Sequence, residues 1–160
     1  MYFNIYQISQ NPIPAEEWIT ESDLYFSVFL GEIANKVDSV TDREERITEL
    51  GNWLRKQELG SIQGNKLTLN PDMLEKPYYA ERYEKFKEAA QTLSLVSRER
   101  YLEDLDGIRN MISEIEEQVI ETRSHYVCWD SEDPIPLDEF LRTAVCGKPY
   151  YIGGVCKFQY

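Results

Sequence analysis

The sequence predicts an α+β fold. A helical body holds one long helix at about 97–123 paired with a helix at 79–93. A small, mostly antiparallel sheet comes from the N-terminal strand and the C-terminal strands. Three observations carry this expectation. Tyr101, Leu105, Ile108, Ile112, Ile115 and Val119 follow one another at steps of four and three, which places an apolar seam on one face of a helix. Tyr79, Tyr83, Phe86, Ala90 and Leu93 repeat the pattern. Residues 2–8 and the segments after 124 are instead short runs of β-branched and aromatic residues bounded by Pro, Gly and Asp.

Length and composition set the bounds. A chain of 160 residues with 42% apolar and 29% charged side chains suits one globular domain, 1–160. The net charge of −12 disfavours contact with a nucleic-acid backbone or an anionic membrane and favours neutral or basic partners. No apolar run is long enough to span a bilayer, and the first six residues lack the basic start of a signal peptide. Three cysteines, an odd number, suit reduced thiols and a cytoplasmic location.

Residues 2–8 read as a strand, stopped by Asn11-Pro12-Ile13-Pro14. A short helix begins there, with Pro14 in its first turn and Glu16 and Glu17 at its positive end. Thr20 or Ser22 caps a second helix over 23–37. Its apolar residues, from Leu24 to Val37, surround the axis, so it is expected to be buried. Thr41 and Glu44 have capping-box spacing and open a helix with Ile47, Leu50, Trp53 and Leu54, ended by Gly60. Gly64-Asn65 sits at the tip of a small hairpin over 62–67, and Asn70-Pro71 closes it.

The two helical seams differ by one residue in heptad phase. Either a turn near 94–97 makes an antiparallel helix pair, or one continuous helix contains a register skip. The need to cover both seams favours the pair. The seams can also pair between chains, which admits a homodimer. Beyond 123, residues 125–129 read as a strand, 131–136 as a loop and 137–144 as a short helix. Residues 148–152 and 155–158 read as a hairpin around Gly153-Gly154.

One pattern occurs twice. Ser9 to Ile19 and Ser131 to Leu141 share Ser-x-x-Pro-Ile-Pro-x-acid-Glu-aromatic-aliphatic, offset by 122 positions. Both copies follow an expected strand and precede an expected helix. The reading is a strand-turn-helix unit used twice, with the two strands adjacent in one sheet and Trp18 and Phe140 pointing inward.

Chemistry-bearing residues are few. His125 is the single histidine, and on a strand Cys128 three positions away faces the other side. His125, Cys128, Cys146 and Cys156 are ligand types that zinc accepts, but no Cys-x-x-Cys pair is present. Asp130, Glu132 and Asp133 form an acidic loop without calcium-loop spacing, and Asp104 and Asp106 do not share a helix face. No Gly-rich phosphate loop or basic stripe occurs. No catalytic, cofactor-binding or metal residue is therefore assigned, and no cofactor is expected. Acidic residues gather in the first sixty positions, the long helix and the second Pro-Ile-Pro unit. The function expected is a non-enzymatic, cytoplasmic protein-interaction module, a small acidic protein docking on a basic or neutral partner with help from its 11 tyrosines. The alternative is a small enzyme with a carboxylate or Cys/His site near 125–133.

Overall fold

The computed structural model describes residues 2–25, 27–121, 125–130 and 133–160. Among them, helices and one mostly antiparallel sheet of seven strands make an α+β fold. The long C-terminal strand β7 (Pro149–Gln159) organises the sheet. Along one side it pairs antiparallel with β1 (Tyr2–Ser9). Along the other, its first residues pair with β4 (Lys66–Leu69) and its last with β2 (Lys36–Ser39). β3 (Gly60–Gln63) extends the sheet beyond β4 through the expected Gly64-Asn65 hairpin, where Gly64 has a positive φ of 59°. β5 (His125–Trp129) lies parallel to β1, and the two-residue β6 (Ile135–Pro136) pairs with β5.

Alternation along the strands feeds two cores. Tyr6, Ile8, Val127, Tyr150 and Ile152 face one side. There they meet Ile47, Leu50 and Leu54 of α3 (Arg43–Lys56) and Leu137, Phe140 and Leu141 of α7 (Leu137–Thr143). Ile5, Tyr126, Cys128, Cys156 and Phe158 face the other side, under Leu24, Phe29 and Ala34. Each fully buried Leu or Ile stabilises the fold by roughly 1.5–3 kcal/mol.

The repeated motif explains part of this layout. Its two strands, β1 and β5, are neighbours, with Asn4 opposite His125 and Ile8 opposite Trp129. The copies then diverge to opposite faces. The second becomes α7 with Phe140 buried, whereas the first is only a three-residue 3-10 turn (Ala15–Glu17) that leads to a half-buried Trp18.

Several expectations are corrected. The 23–37 helix does not form. Thr20 does cap a helix, through a capping box with Asp23, but α1 (Glu21–Leu24) is one turn long. A broken turn α2 (Phe29–Glu32) follows, with Gly31 at φ 108°. The sheet edge takes the rest, pairing Val37 with Phe158. Most of the apolar residues were there for a sheet face, and Tyr25 and Val28 are exposed.

The Thr41–Glu44 box is also absent. α3 starts at Arg43 after Asp42, whose carboxylate pairs with Arg46 at 2.6 Å instead of capping. Gly60 opens β3 and does not end α3, which stops at Lys56. A Cβ at Gly60 would lie 2.5 Å from the Thr68 carbonyl oxygen, so cross-strand crowding explains this glycine.

Gly153-Gly154 is no hairpin tip. Tyr6 pairs with Val155 and Ile8 with Ile152, so Gln7 faces both glycines across a β-bulge inside β7. The reason is proximity. A Cβ on Gly154 would sit 2.5 Å from the backbone oxygen of Ile19 and 2.6 Å from its nitrogen. The Gln7 amide oxygen accepts from Gly154 N–H at 2.8 Å and Ile19 N–H at 3.0 Å, and its nitrogen donates to the Glu17 carbonyl at 2.9 Å. Arg43 secures the same corner, donating to the carbonyls of Gly153 at 2.8 Å and Ile152 at 3.0 Å with its guanidinium over the Trp18 ring.

Candidate interaction surface

The helices of residues 77–119 touch the larger core only at their base, where Tyr79 is buried in it and Tyr78 packs against it. Pro77 starts α4 (Pro77–Ser94), as its missing N–H allows. After a turn, Ser97 caps the short α5 (Arg98–Glu103) by accepting from Arg100 N–H at 3.1 Å. α6 (Leu105–Val119) packs against α4, which bears out the antiparallel pair over the continuous helix. The expected single 97–123 helix is divided at Asp104, and residues 122–124 lie outside the described residues. The cause is local. Asp104 leaves helical geometry and its carboxylate accepts from Gly107 N–H at 2.9 Å, capping a new helix. A Cβ at Gly107 would meet that carboxylate, so a larger residue there would make the Asp104 side chain shift.

A polar clamp fixes the pair to the body. One Arg82 nitrogen donates to the carbonyls of Glu117 at 3.2 Å and Gln118 at 3.1 Å, where the end of α6 is electron-rich. The same nitrogen reaches the Asp138 carboxylate of α7 at 3.4 Å. That carboxylate also pairs with Arg142 and accepts from the Glu121 N–H at 3.0 Å. The Asp138 side chain is 1% exposed, so both arginines are needed to compensate its burial. Burial first, and Asp138 second, hold the Tyr79 phenol well above its ordinary range.

Beyond Tyr79 no side chain of α4, α5 or α6 is buried. The two flanks of the hairpin differ. One is acidic: Glu81, Glu84 and Glu88 recur at three and four on α4, as do Glu114, Glu117 and, just past α6, Glu121. Glu81, Glu117 and Glu121 line a polar cleft of about 350 Å³ together with Arg82, Lys85 and Gln57. The opposite flank is apolar. Leu105, Ile112 and Val119, seven residues apart, are 57%, 43% and 45% exposed. Beside Val119 an open groove of about 350 Å³ is lined by Leu74, Tyr83, Phe86 and Arg142. Only two of the six seam residues, Ile108 and Ile115, are therefore half-covered, along with Met111 beside them, and Tyr101 is exposed.

The sheet separates the residues weighed as a site. His125 lies against Tyr6 and Trp53 in the larger core, whereas Cys128 and Cys156 are buried on the other face. Cys146 is half-buried after α7, so the four do not meet. Among the described residues no three His, Cys, Asp or Glu side chains form a set that could hold a metal. Burial pushes His125 down to about 4 and the thiols of Cys128 and Cys156 up to about 12, the reverse of what a thiolate–imidazolium pair requires. Asp130 occupies a turn at φ 46°, Asp133 is exposed, and Glu132 lies outside the described residues. Asp104 caps α6, and Asp106 is exposed in its first turn.

Reasoning from sequence missed the Arg82–Asp138–Arg142 clamp and the two-sided hairpin. The heptad recurrence of Leu105, Ile112 and Val119 was the available signal for the second. Among the described residues no helix is long and apolar enough to cross a membrane. Comparison with protein-family models, with curated proteins and with solved structures found no match to this chain.

Proposed function

We propose that the chain is a non-enzymatic, cytoplasmic interaction module that docks on the basic or neutral surface of another protein through the acidic flank of its helical hairpin. One observation carries the reading. Two rows of carboxylates on antiparallel helices are held outside the cores and border an open polar cleft, in whose lining Glu81, Glu117 and Glu121 outnumber Arg82 and Lys85. The clamp at Arg82 keeps that flank rigid, so docking needs little ordering of the hairpin. Three unpaired thiols, two of them buried, suit a reducing compartment.

The test is affinity capture from the source cells with the native chain and with the Glu84→Lys/Glu88→Lys/Glu114→Lys variant, at about 0.15 M and 0.5 M salt, where exposed charge pairs become largely screened. A basic protein held by the native chain at low salt only, and lost by the variant, is the expected result. Equal capture by both chains would sink the proposal, and so would capture of nothing by the native chain.

A further inference from the structure

The apolar flank has a different use from the acidic one, and its occupant can be argued from its own pattern. We infer that it is a self-association surface, on which α6 of a second copy packs antiparallel across a two-fold axis at Ile112. This goes beyond the acidic docking reading and does not depend on it.

Three features of the flank fit together. A stripe of three apolar residues at intervals of seven suits a helix-helix contact, in which a strict seven-residue recurrence keeps facing its partner. The stripe is nearly symmetric about its centre. In an antiparallel pair Ile112 meets its mate, while Leu105 of one copy meets Val119 of the other, about 10 Å along the helix from the axis at 1.5 Å per residue.

The charges beside the stripe are self-complementary. Arg109 and Glu116 each lie one step from it, on the side away from α4, and both are exposed. The same two-fold axis sets Arg109 of each copy against Glu116 of the other. A parallel pairing, with its two-fold axis along the helices, would put these residues of the two copies on opposite flanks of the contact and leave them unmatched.

The ends match as well. The tip of the hairpin, in the segment that leads into Leu105, exposes Leu95 and Leu102 at 83% and 80%. The base carries the groove of Leu74, Tyr83, Phe86 and Val119. Antiparallel packing brings each tip to the other copy's groove, so the most exposed apolar residues and the most apolar groove cover one another. The acidic rows stay outside on both copies, away from the contact.

Sedimentation equilibrium of the full chain at micromolar to millimolar concentration tests this. The native chain is expected to form a dimer, and Ile112→Glu, at an exposed position, to weaken it at least 100-fold with the circular dichroism unchanged. Arg109→Glu alone and Glu116→Arg alone are each expected to weaken the dimer roughly tenfold. Mixing these two variants should restore it, because every cross-axis pair is then one acid and one base. The Arg109→Glu/Glu116→Arg double variant should also recover native affinity. A monomer at all concentrations would overturn the inference. A dimer insensitive to Ile112→Glu, or one that mixing fails to restore, would do so too.

Discussion

Acidification should destabilise this protein through His125 in a defined window. The imidazole is wedged between the rings of Tyr6 and Trp53, with centroids 5.8 Å away in both cases. Its Nδ1 is buried and has no hydrogen-bond partner among the described residues. Desolvation lowers its pKa to about 4, against about 6.5 in an unfolded chain. Below pH 6.5 the unfolded chain therefore binds a proton that the folded chain refuses. Stability contributed by the neutral ring is complete above pH 6.5 and is lost progressively as pH falls toward 4. At about 1.4 kcal/mol for each tenfold step in proton affinity, the whole window is worth about 3 kcal/mol, of which about 2 kcal/mol is gone at pH 5.

Many carboxylates titrate nearby in pH, so the native chain alone cannot isolate this effect. His125→Phe can, because it keeps an aromatic ring in the slot and removes the titration. Urea unfolding of both proteins at pH 7.5 and pH 5.0 gives the comparison. The native chain should lose about 2 kcal/mol more than the variant between the two pH values, roughly 1 M in midpoint for a chain of this size. Parallel losses, agreeing within about 0.5 kcal/mol, would show that the imidazole is hydrated or hydrogen-bonded in the folded state, and the argument from burial would fail.

Other perturbations reach different parts of the fold. Gln7→Ala removes an acceptor for two backbone N–H groups and a donor to a third residue, all at the bulge. It should lower the unfolding free energy by about 3 kcal/mol in urea titration. Gly154→Ala forces a methyl group onto the backbone of Ile19, which cannot move aside as a flexible side chain would. A loss of about 3 kcal/mol, read as a lower thermal midpoint, is expected. Asp138→Ala leaves Arg82 and Arg142 without their carboxylate and should destabilise the protein by about 3 kcal/mol, with proteolysis within 77–119 as the first sign. With the thiols of Cys128 and Cys156 buried and raised to about 12, a thiol reagent at pH 8 should modify only the half-buried Cys146 in the native protein and all three after unfolding.

Much of the fold was legible because it rests on local rules. The β1 strand, the Gly64 hairpin, α7 and the turn between the helical seams follow from alternation, turn residues and coverage. The repeated Pro-Ile-Pro motif even anticipated that β1 and β5 are neighbours. The failures share a cause. Residues 23–37 and Gly153-Gly154 were interpreted from their own chain segments, but distant backbone decides both. Val37 is extended because β7 offers it a strand, and Gly154 lies under the backbone of Ile19 while Gly153 lies under the side chains of Gln7 and Ile13. A one-dimensional pattern records that a glycine is needed and omits which other residue requires it.

The interaction surface was half legible for a related reason. Periodicity identified a six-residue apolar seam on the long helix, and it is broad enough to present two stripes. Which stripe is covered depends on the rotation of α6 about its own axis, and apolar residues alone do not set that rotation. The clamp helps to set it. Arg82 grips the last carbonyls of α6, and Asp138 holds Arg82 and the Glu121 N–H from α7. Turning α6 by a quarter turn would bury Leu105, Ile112 and Val119 against α4, and it would carry those carbonyls away from Arg82. That would leave a largely covered arginine and a buried aspartate poorly matched, a loss of several kcal/mol. Moving three half-exposed aliphatic side chains under α4 recovers about 1 kcal/mol each at most. The polar clamp thus outweighs the apolar gain, and a seam whose sequence suggests internal packing is left facing outward.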